Sequence, residues 1–240
     1  MLRTDVLQLR AVMNPLIVAL AIVVTLPVFA QDAITTLPQN YRLQFENEWV
    51  RVTRVHYPSH AKLGPHGHTT FASAYVYLND GGPVIFRHVG GHDTVATRLP
   101  TVAGGVRLFR GIDEVHEVEN LSAQPSHFLR VEFKTHPGDD PRSLRGKFLP
   151  IRDEPEVFQK VHFENAQLRV TRIFVPAGQV TDVTAAAYST LLVWLTDPWL
   201  GAVRWLARGQ TERIVSSDSG FVEALGFELK TAPPARDQNH

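Results

Sequence analysis

Apolar positions along most of this chain fall in short runs that alternate with polar ones. "WVRVTRVHY" (49–57), "FASAYVYLN" (71–79), "GPVIFRHV" (82–89), "GVRLFRG" (105–111) and "HFLRVEFKT" (127–135) are rich in Val, Phe, Tyr and Leu and are punctuated by Gly, Pro, Asn and Asp. Such runs predict β-strands. No stretch of eight or more residues carries a convincing helical stripe. Many short strands at close spacing predict an all-β sandwich or barrel.

The amino terminus breaks this pattern. "MLRTDVLQLR" carries two arginines, "PLIVALAIVVTLPVFA" follows without a charge, and Val28-Phe29-Ala30 meets the small-residue rule for cleavage before Gln31. Residues 1–30 therefore read as a secretory signal peptide, with an uncleaved membrane anchor as the alternative. The expected localisation is periplasmic or secreted. Pro27 would interrupt a spanning helix near its end, and no cysteine follows the apolar run to take a lipid.

The strands recur as a repeat. "FENEWVRVTRVHYPSH" from Phe45 matches "FENAQLRVTRIFVPAG" from Phe163, and "ASAYVYLND" matches "YSTLLVWLTD" in kind. "FLRVEFKT", ending at Thr135, matches "ALGFELKT", ending at Thr231. The offset shrinks from 118 residues at Phe45/Phe163 to 96 at Thr135/Thr231, so the second copy is shorter. The reading is a first barrel over 41–135, a proline- and charge-rich linker over 136–156, a second barrel over 157–231 and a disordered tail over 232–240.

Composition narrows the chemistry. Lys and Arg number 24 and Asp and Glu 24, with no basic stripe, so nucleic acid is not an expected partner. There is no Gly-rich phosphate loop and no Gly-x-Ser-x-Gly elbow. Cysteine is absent, which removes thiol nucleophiles, disulfides and thiolate metal sites. A metal would have to be held by His, Asp or Glu.

The candidate ligands are His66 and His68 in "GPHGHTT", with His116 in "GVRLFRGIDEVHEVEN". Residues i and i+2 of a strand share a face, so the first two converge if that face is the inner one. These two stretches resemble the two conserved motifs of the cupin superfamily. In the first, the HxH pair carries the likeness; in the second, Gly105, His116 and Asn120 stand at the expected spacings, with Gly111 in place of the usual Pro and Asp113 in place of the usual Gly. The resemblance implies two tandem double-stranded β-helix (jelly-roll) barrels, a bicupin, with His66, His68 and His116 as metal ligands. The family's glutamate ligand does not carry over, because Ala72 and Ser73 occupy the positions that could hold it.

Three neutral imidazoles leave an ion's charge uncompensated and a coordination position open. Imidazole suits iron, manganese, zinc, nickel or copper, and the uncompensated charge favours an anionic substrate. The alternative is histidines that merely line a pocket. The repeat, read without gaps, places Thr184 and Ala186 opposite His66 and His68, so the second barrel lacks the site and has a structural role: packing on the first, closing its mouth or forming a homodimer face.

Other candidates are weaker. His88, His92 and Asp93 surround a Gly–Gly turn and read as a hairpin end. His56 and His60 read as surface residues. Glu114, Glu117 and Glu119 read as solubilising strand-edge charges, with a role in orienting an imidazole as the sharper alternative. Arg87, Arg110 and Arg130 are candidates to meet a substrate carboxylate. Trp194, Trp199 and Trp205 read as core or inter-barrel packing.

The functional expectation is an exported bicupin with one three-His metal site, acting as a small-molecule oxygenase, isomerase or lyase. No inward carboxylate is evident to serve as acid or base. The alternatives are a non-catalytic small-ligand-binding cupin with a vestigial metal site, and a purely structural protein. Membrane contact is expected only through an uncleaved amino-terminal segment.

Overall fold

A run of apolar residues every second position buries one face of a strand and leaves the other for a different contact. Here both faces of the central strands are buried, one inside a barrel and one between barrels. The computed structural model describes residues 32–89, 94–138, 140–151 and 155–234. The signal-peptide reading of residues 1–30, the pair His92 and Asp93, and the end of the tail lie outside the described residues. Among the described residues no helix is long and apolar enough to cross a membrane.

The first copy opens with a single helical turn, α1 (Ala33–Thr36), capped by the Asp32 side chain on the Ile34 amide. It continues with β1 (Tyr41–Glu46), β2 (Val50–Tyr57), β3 (Lys62–Gly67), β4 (Ala72–Tyr77), β5 (Val84–His88), β6 (Val95–Arg98), β7 (Val106–Phe109), β8 (Val115–Asn120) and β9 (Ser126–Phe133). The linker contributes a short 3-10 turn at Pro141–Ser143 and β10 (Gly146–Phe148), which pairs with β7. The second copy holds β11 (Phe158–Glu164), β12 (Leu168–Val175), β13 (Val180–Thr184), β14 (Thr190–Trp194), β15 (Val203–Leu206), β16 (Thr211–Val215) and β17 (Val222–Leu229).

Each copy is a larger and a smaller sheet. The first pairs a β1-β2-β9-β4-β7-β10 sheet with a β3-β8-β5-β6 sheet; the second pairs β11-β12-β17-β14-β15 with β13-β16. The protein is all-β, as expected from the strand pattern.

Alternation assigns every residue of the large sheets to a side. On β2 and β9, Val50, Val52, Leu129, Val131 and Phe133 point away from the first barrel and join Leu168, Val170, Leu191, Leu225 and Phe227 of the second in one continuous core. The intervening residues, including Val55, Tyr57 and Phe128, line the first barrel's interior. Ile173, Val175, Leu192 and Ala224 do the same in the second. Removing two faces of this size from water is the main term holding the barrels together.

The repeat also builds the interface twice. Arg54 on β2 donates to the Gly201 carbonyl at 3.1 Å, and its counterpart Arg172 on β12 donates to the Gly104 carbonyl at 2.8 Å. Both glycines have positive φ, 73° and 78°, a conformation that Gly adopts without strain. Each barrel thus inserts an arginine into a glycine turn of the other.

Candidate metal centre and cavity

β3 and β8 bring the three histidines together. His66 lies opposite His116 across the β3–β8 ladder, and a β-bulge between Leu63 and His66 sets the register. The bulge spans Gly64 and Pro65 and re-aims the strand so that Leu63 and His66 are both buried. His68 follows just beyond the strand. The ring centroids stand 5.1 Å apart for His66/His68, 4.8 Å for His66/His116 and 5.1 Å for His68/His116. One ligand atom from each lies within 4.8 Å of the others, a group that could bind a metal. Gly111 is needed nearby, because a Cβ there would sit 1.6 Å from the Thr70 carbonyl oxygen.

The local chemistry favours neutral imidazoles at His66 and His68. Burial lowers the His66 pKa to about 4. Burial, with Arg130 as the next cause, holds His68 well below its ordinary value. The Gly64 carbonyl lies 2.9 Å from His66 Nδ1; accepting a proton from that nitrogen leaves Nε2 as the ligand atom. His116 Nε2 is buried without a hydrogen-bond partner among the described residues, and its Nδ1 has only the Glu114 carboxylate, at 3.6 Å. A buried imidazole so placed lacks a contact that an ion would supply, so the donor set fits a divalent cation.

Sequence reasoning missed Tyr41. This residue begins β1, and its hydroxyl lies 2.7 Å from His66 Nε2 and 2.9 Å from the Tyr57 hydroxyl. Burial raises the Tyr41 pKa well above the phenol range, so the hydroxyl keeps its proton and can donate it to His66. The signal was present only as an aromatic at an inward position of an unassigned strand.

The fourth-ligand position resolves as follows. Ser73 is buried on β4 and donates to the Phe71 carbonyl at 3.1 Å. Directly opposite on β9 stands a buried carboxylate, Glu132. It accepts from Thr69 at 2.7 Å and lies 3.2 Å from Arg130 Nε and 3.9 Å from Arg51 Nε. Two guanidiniums neutralise it.

The expectation of no inward carboxylate is corrected. Glu114 lines the cavity beside the triad, with Oε2 3.0 Å from His88 Nε2 and 3.6 Å from His116 Nδ1. Burial raises its pKa, but the neighbouring His116 and His88 outweigh that and hold it at about 2. The reading of Glu114 as a solubilising charge fails because β8 starts one residue later, at Val115, leaving Glu114 in a loop that folds inward. His88 is likewise drawn in, and His88, Glu114 and His116 form a second potential ligand group sharing His116. Glu119 does face out, paired with Lys62 and Arg87.

His68 and His116 of the triad line a cavity of about 630 Å³ inside the first barrel, with His66 behind them. Of the arginines singled out from sequence, Arg130 lines it, 5% exposed and stacked over Tyr75 at 5.7 Å, whereas Arg87 and Arg110 face outward. Arg98 and Arg107 also line it. His56 stacks on His127 at 4.3 Å outside the barrel, and His60 is exposed.

The second barrel keeps the frame and loses the site. Its β13–β16 ladder has no bulge, so register rather than gapless alignment identifies the counterparts. Val183 and Ala185 stand where His66 and His68 do, and Glu212 where His116 does. The gapless placement of Thr184 and Ala186 is off by the one residue that the bulge inserts. Val183 and Ala185 belong to the second barrel's apolar core, and Glu212 pairs with Arg204 at 2.9 Å.

No protein-family model matches the chain, and no curated protein matches it. Among solved structures, vicilin from Solanum lycopersicum (tomato) superposes with a TM-score of 0.51 at 12% identity, over 80% of this chain and 84% of that one. YhaK from Escherichia coli gives 0.47 at 15% identity, over 83% of this chain and 97% of that one. AerE from Microcystis aeruginosa gives 0.45 at 11%, over 79% and 97%. Identities this low speak to fold alone. The chain has the bicupin fold, with a histidine group that could bind a metal in its first barrel.

Proposed function

We propose that this chain is an exported, metal-dependent small-molecule enzyme, an oxygenase, isomerase or lyase, whose one active site is the first barrel. The observation that carries the reading is His116, buried with Nδ1 turned to Glu114 at 3.6 Å and Nε2 without a hydrogen-bond partner among the described residues, converging with His66 and His68 beside a cavity of about 630 Å³. The volume falls within the range of small-molecule sites. Iron, manganese, zinc or nickel suits three imidazoles, and such an ion, when bound, would supply Lewis-acid or redox chemistry at an open position.

The chain's own residues have definable tasks. His66 and His68, neutral at pH 7, offer lone pairs without first losing a proton. Glu114 orients His116 and His88 and keeps a negative charge near the site. Tyr75, Phe86 and Phe128 give the cavity an apolar wall. Export rests on the character of residues 1–30.

A second reading is a non-catalytic ligand-binding barrel. It is favoured by the Tyr41 hydroxyl, which satisfies His66 Nε2 without an ion. Metal analysis separates the two. The untagged chain from Gln31 to His240 should carry about one equivalent of a transition metal, and the His66→Ala/His68→Ala variant none. Metal at background in the wild type, even after reconstitution, would overturn the enzyme reading. Mass spectrometry of the exported product should find Gln31 at its amino terminus.

A further inference from the structure

The charge lining the cavity is uneven. Arg98, Arg107, Arg130, Arg145 and Lys147 line it, and Glu114 is the one carboxylate to do so among the described residues. Glu114 is already engaged by His88 and His116, and Arg130 is partly neutralised by Glu132 at 3.2 Å. Among the described residues neither Arg98 nor Arg107 has a carboxylate within ion-pair distance.

Arg98 ends β6 and is 8% exposed. One of its terminal nitrogens donates to Ser126 at 2.9 Å, and its Nε is buried with no hydrogen bond. Its guanidinium lies over Tyr77 at 5.4 Å and Phe128 at 5.7 Å. Arg107, on β7, sits over Tyr75 at 5.4 Å and Phe109 at 5.1 Å. Both guanidiniums interact with Tyr77, and Arg107 is close enough to disfavour the charge on Arg98. Burial is the main effect that lowers the Arg98 pKa, and it outweighs the opposing effect of the Tyr77 and Tyr57 phenols.

Two cations facing a cavity, without a carboxylate between them, are costly in the empty protein. Ring faces offset part of that cost. A planar oxyanion would offset the rest, because a carboxylate accepts paired N–H bonds from a guanidinium fork. The wall between this pair and the histidines is aromatic, formed by Tyr75, Phe86 and Phe128, which suits a flat apolar body.

We propose that the first barrel binds an organic acid with a planar, unsaturated body, its carboxylate seated on Arg98 and Arg107 and its body directed along the aromatic wall toward His66, His68 and His116. This deepens the enzyme reading by naming the substrate class, and rests on that reading only in taking the cavity as the substrate site. The seat itself uses no metal. The sequence reading looked for this role in Arg87, Arg110 and Arg130; Arg98 and Arg107 gave no motif.

Calorimetric titration of the full chain with benzoate, cinnamate and phthalate tests it, with the corresponding neutral amides and inorganic phosphate as controls. At least one aromatic carboxylate should bind at least tenfold more tightly than its amide and than phosphate. Arg98→Gln and Arg107→Gln should each weaken it about tenfold, and Arg98→Lys less. Should Arg98→Gln fail to fold, the half-exposed Arg107 carries the test through Arg107→Gln. Equal binding of acid and amide, phosphate binding as well as the acids, no binding by the panel, or affinity unchanged in Arg107→Gln would each overturn the proposal. The titrations are repeated after metal removal and on His66→Ala/His68→Ala. Carboxylate binding without metal uptake would sink the metalloenzyme reading alone, and metal uptake without carboxylate binding would sink this one alone.

Discussion

The two barrels share a frame and differ in what fills it. Lys134 holds Glu46 and the Asn47 carbonyl in the first; Lys230 holds Glu164 and the Asn165 carbonyl in the second. Asn47 and Asn165 each cap two following amides. Inside, the first barrel carries Tyr57, Phe128, Arg130 and His66, where register puts Val175, Ala224, Gly226 and Val183 in the second. Each of these four changes runs from polar or aromatic to small or aliphatic. One barrel keeps polar groups facing a cavity, at a cost in stability; the other packs aliphatic side chains into its core. The backbone pattern sets the fold in both, and the interior alone decides which can do chemistry.

The sharpest way to break the shared frame is at the interface arginines. Arg172 is fully buried and paired with buried Glu223, while Arg54 bonds Gln44 at 3.0 Å and carbonyls of the other barrel from a partly exposed position. Arg172→Met removes this buried ion pair together with the bond to the Gly104 carbonyl and should cost about 3–5 kcal/mol by urea denaturation. Arg54→Met, losing only hydrogen bonds, should cost about 1–2 kcal/mol. The double change Arg172→Met/Glu223→Leu should recover most of the first loss. Equal effects of Arg54→Met and Arg172→Met would show that the two insertions are energetically alike.

Acid should separate the barrels next. His66 has a folded pKa of about 4, below its unfolded value, so between about pH 6.5 and 4 the unfolded chain binds the extra proton and stability falls as pH falls. His68 acts in the same direction. The depressed Glu114 adds a further loss only below its unfolded value, as pH drops toward 2. His162, also near 4 through burial and Arg172, titrates with the second barrel. Full development of the His66 shift is worth about 3 kcal/mol. Denaturation at pH 7 and pH 4.5 should show a smaller acid loss in His66→Gln/His68→Gln than in the wild type, and the acid sensitivity that remains includes His162.

What could be read from sequence follows the same division. Val, Phe and Tyr at alternate positions of 50–57 and 126–133 exposed the large sheets, because both of their faces are apolar. The repeat was legible through FEN and RVTR, residues that cap and clamp each frame. The histidine triad was legible because HxH fixes two ligands on one face. β3, β6 and β10 escaped notice, since "KLGPHG", "VATR" and "GKF" carry glycine, proline or charge and are held by ladder hydrogen bonds rather than by pattern. Glu114 and the Arg98–Arg107 pair could not be assigned, since a loop's inward turn and a side chain's approach from a neighbouring strand leave no period. The bulge at Gly64–Pro65 misled the alignment of the second barrel by one residue.

A finer cut lies within the first barrel. Tyr41→Phe removes a hydroxyl bonded to His66 and Tyr57 and should cost about 1 kcal/mol. Because that hydroxyl sits on the lone pair that an ion would take, the variant should bind metal several-fold more tightly in competition with a chromogenic chelator. A several-fold loss would instead make Tyr41 a ligand.

The smallest effect belongs to Trp199, one of three tryptophans that sequence treated as one packing cluster. Trp205 lies 6.1 Å from Trp49 of the first barrel and packs on the shared core; Trp194 packs on the second barrel's interior. Trp199 is 60% exposed, so packing does not account for it. It follows the cis Asp197–Pro198 bond in a turn whose neighbours Leu200 and Gly201 meet Arg54. The backbone of this turn makes the inter-barrel contact, through carbonyls that any side chain at 199 leaves in place. Trp199→Ala should therefore shift stability by no more than about 0.5 kcal/mol, against about 3 kcal/mol for Trp205→Ala. A large loss at Trp199 would mean that its ring is buried in the working protein, and chromatographic sizing of wild type against Trp199→Ala would show whether a second copy covers it.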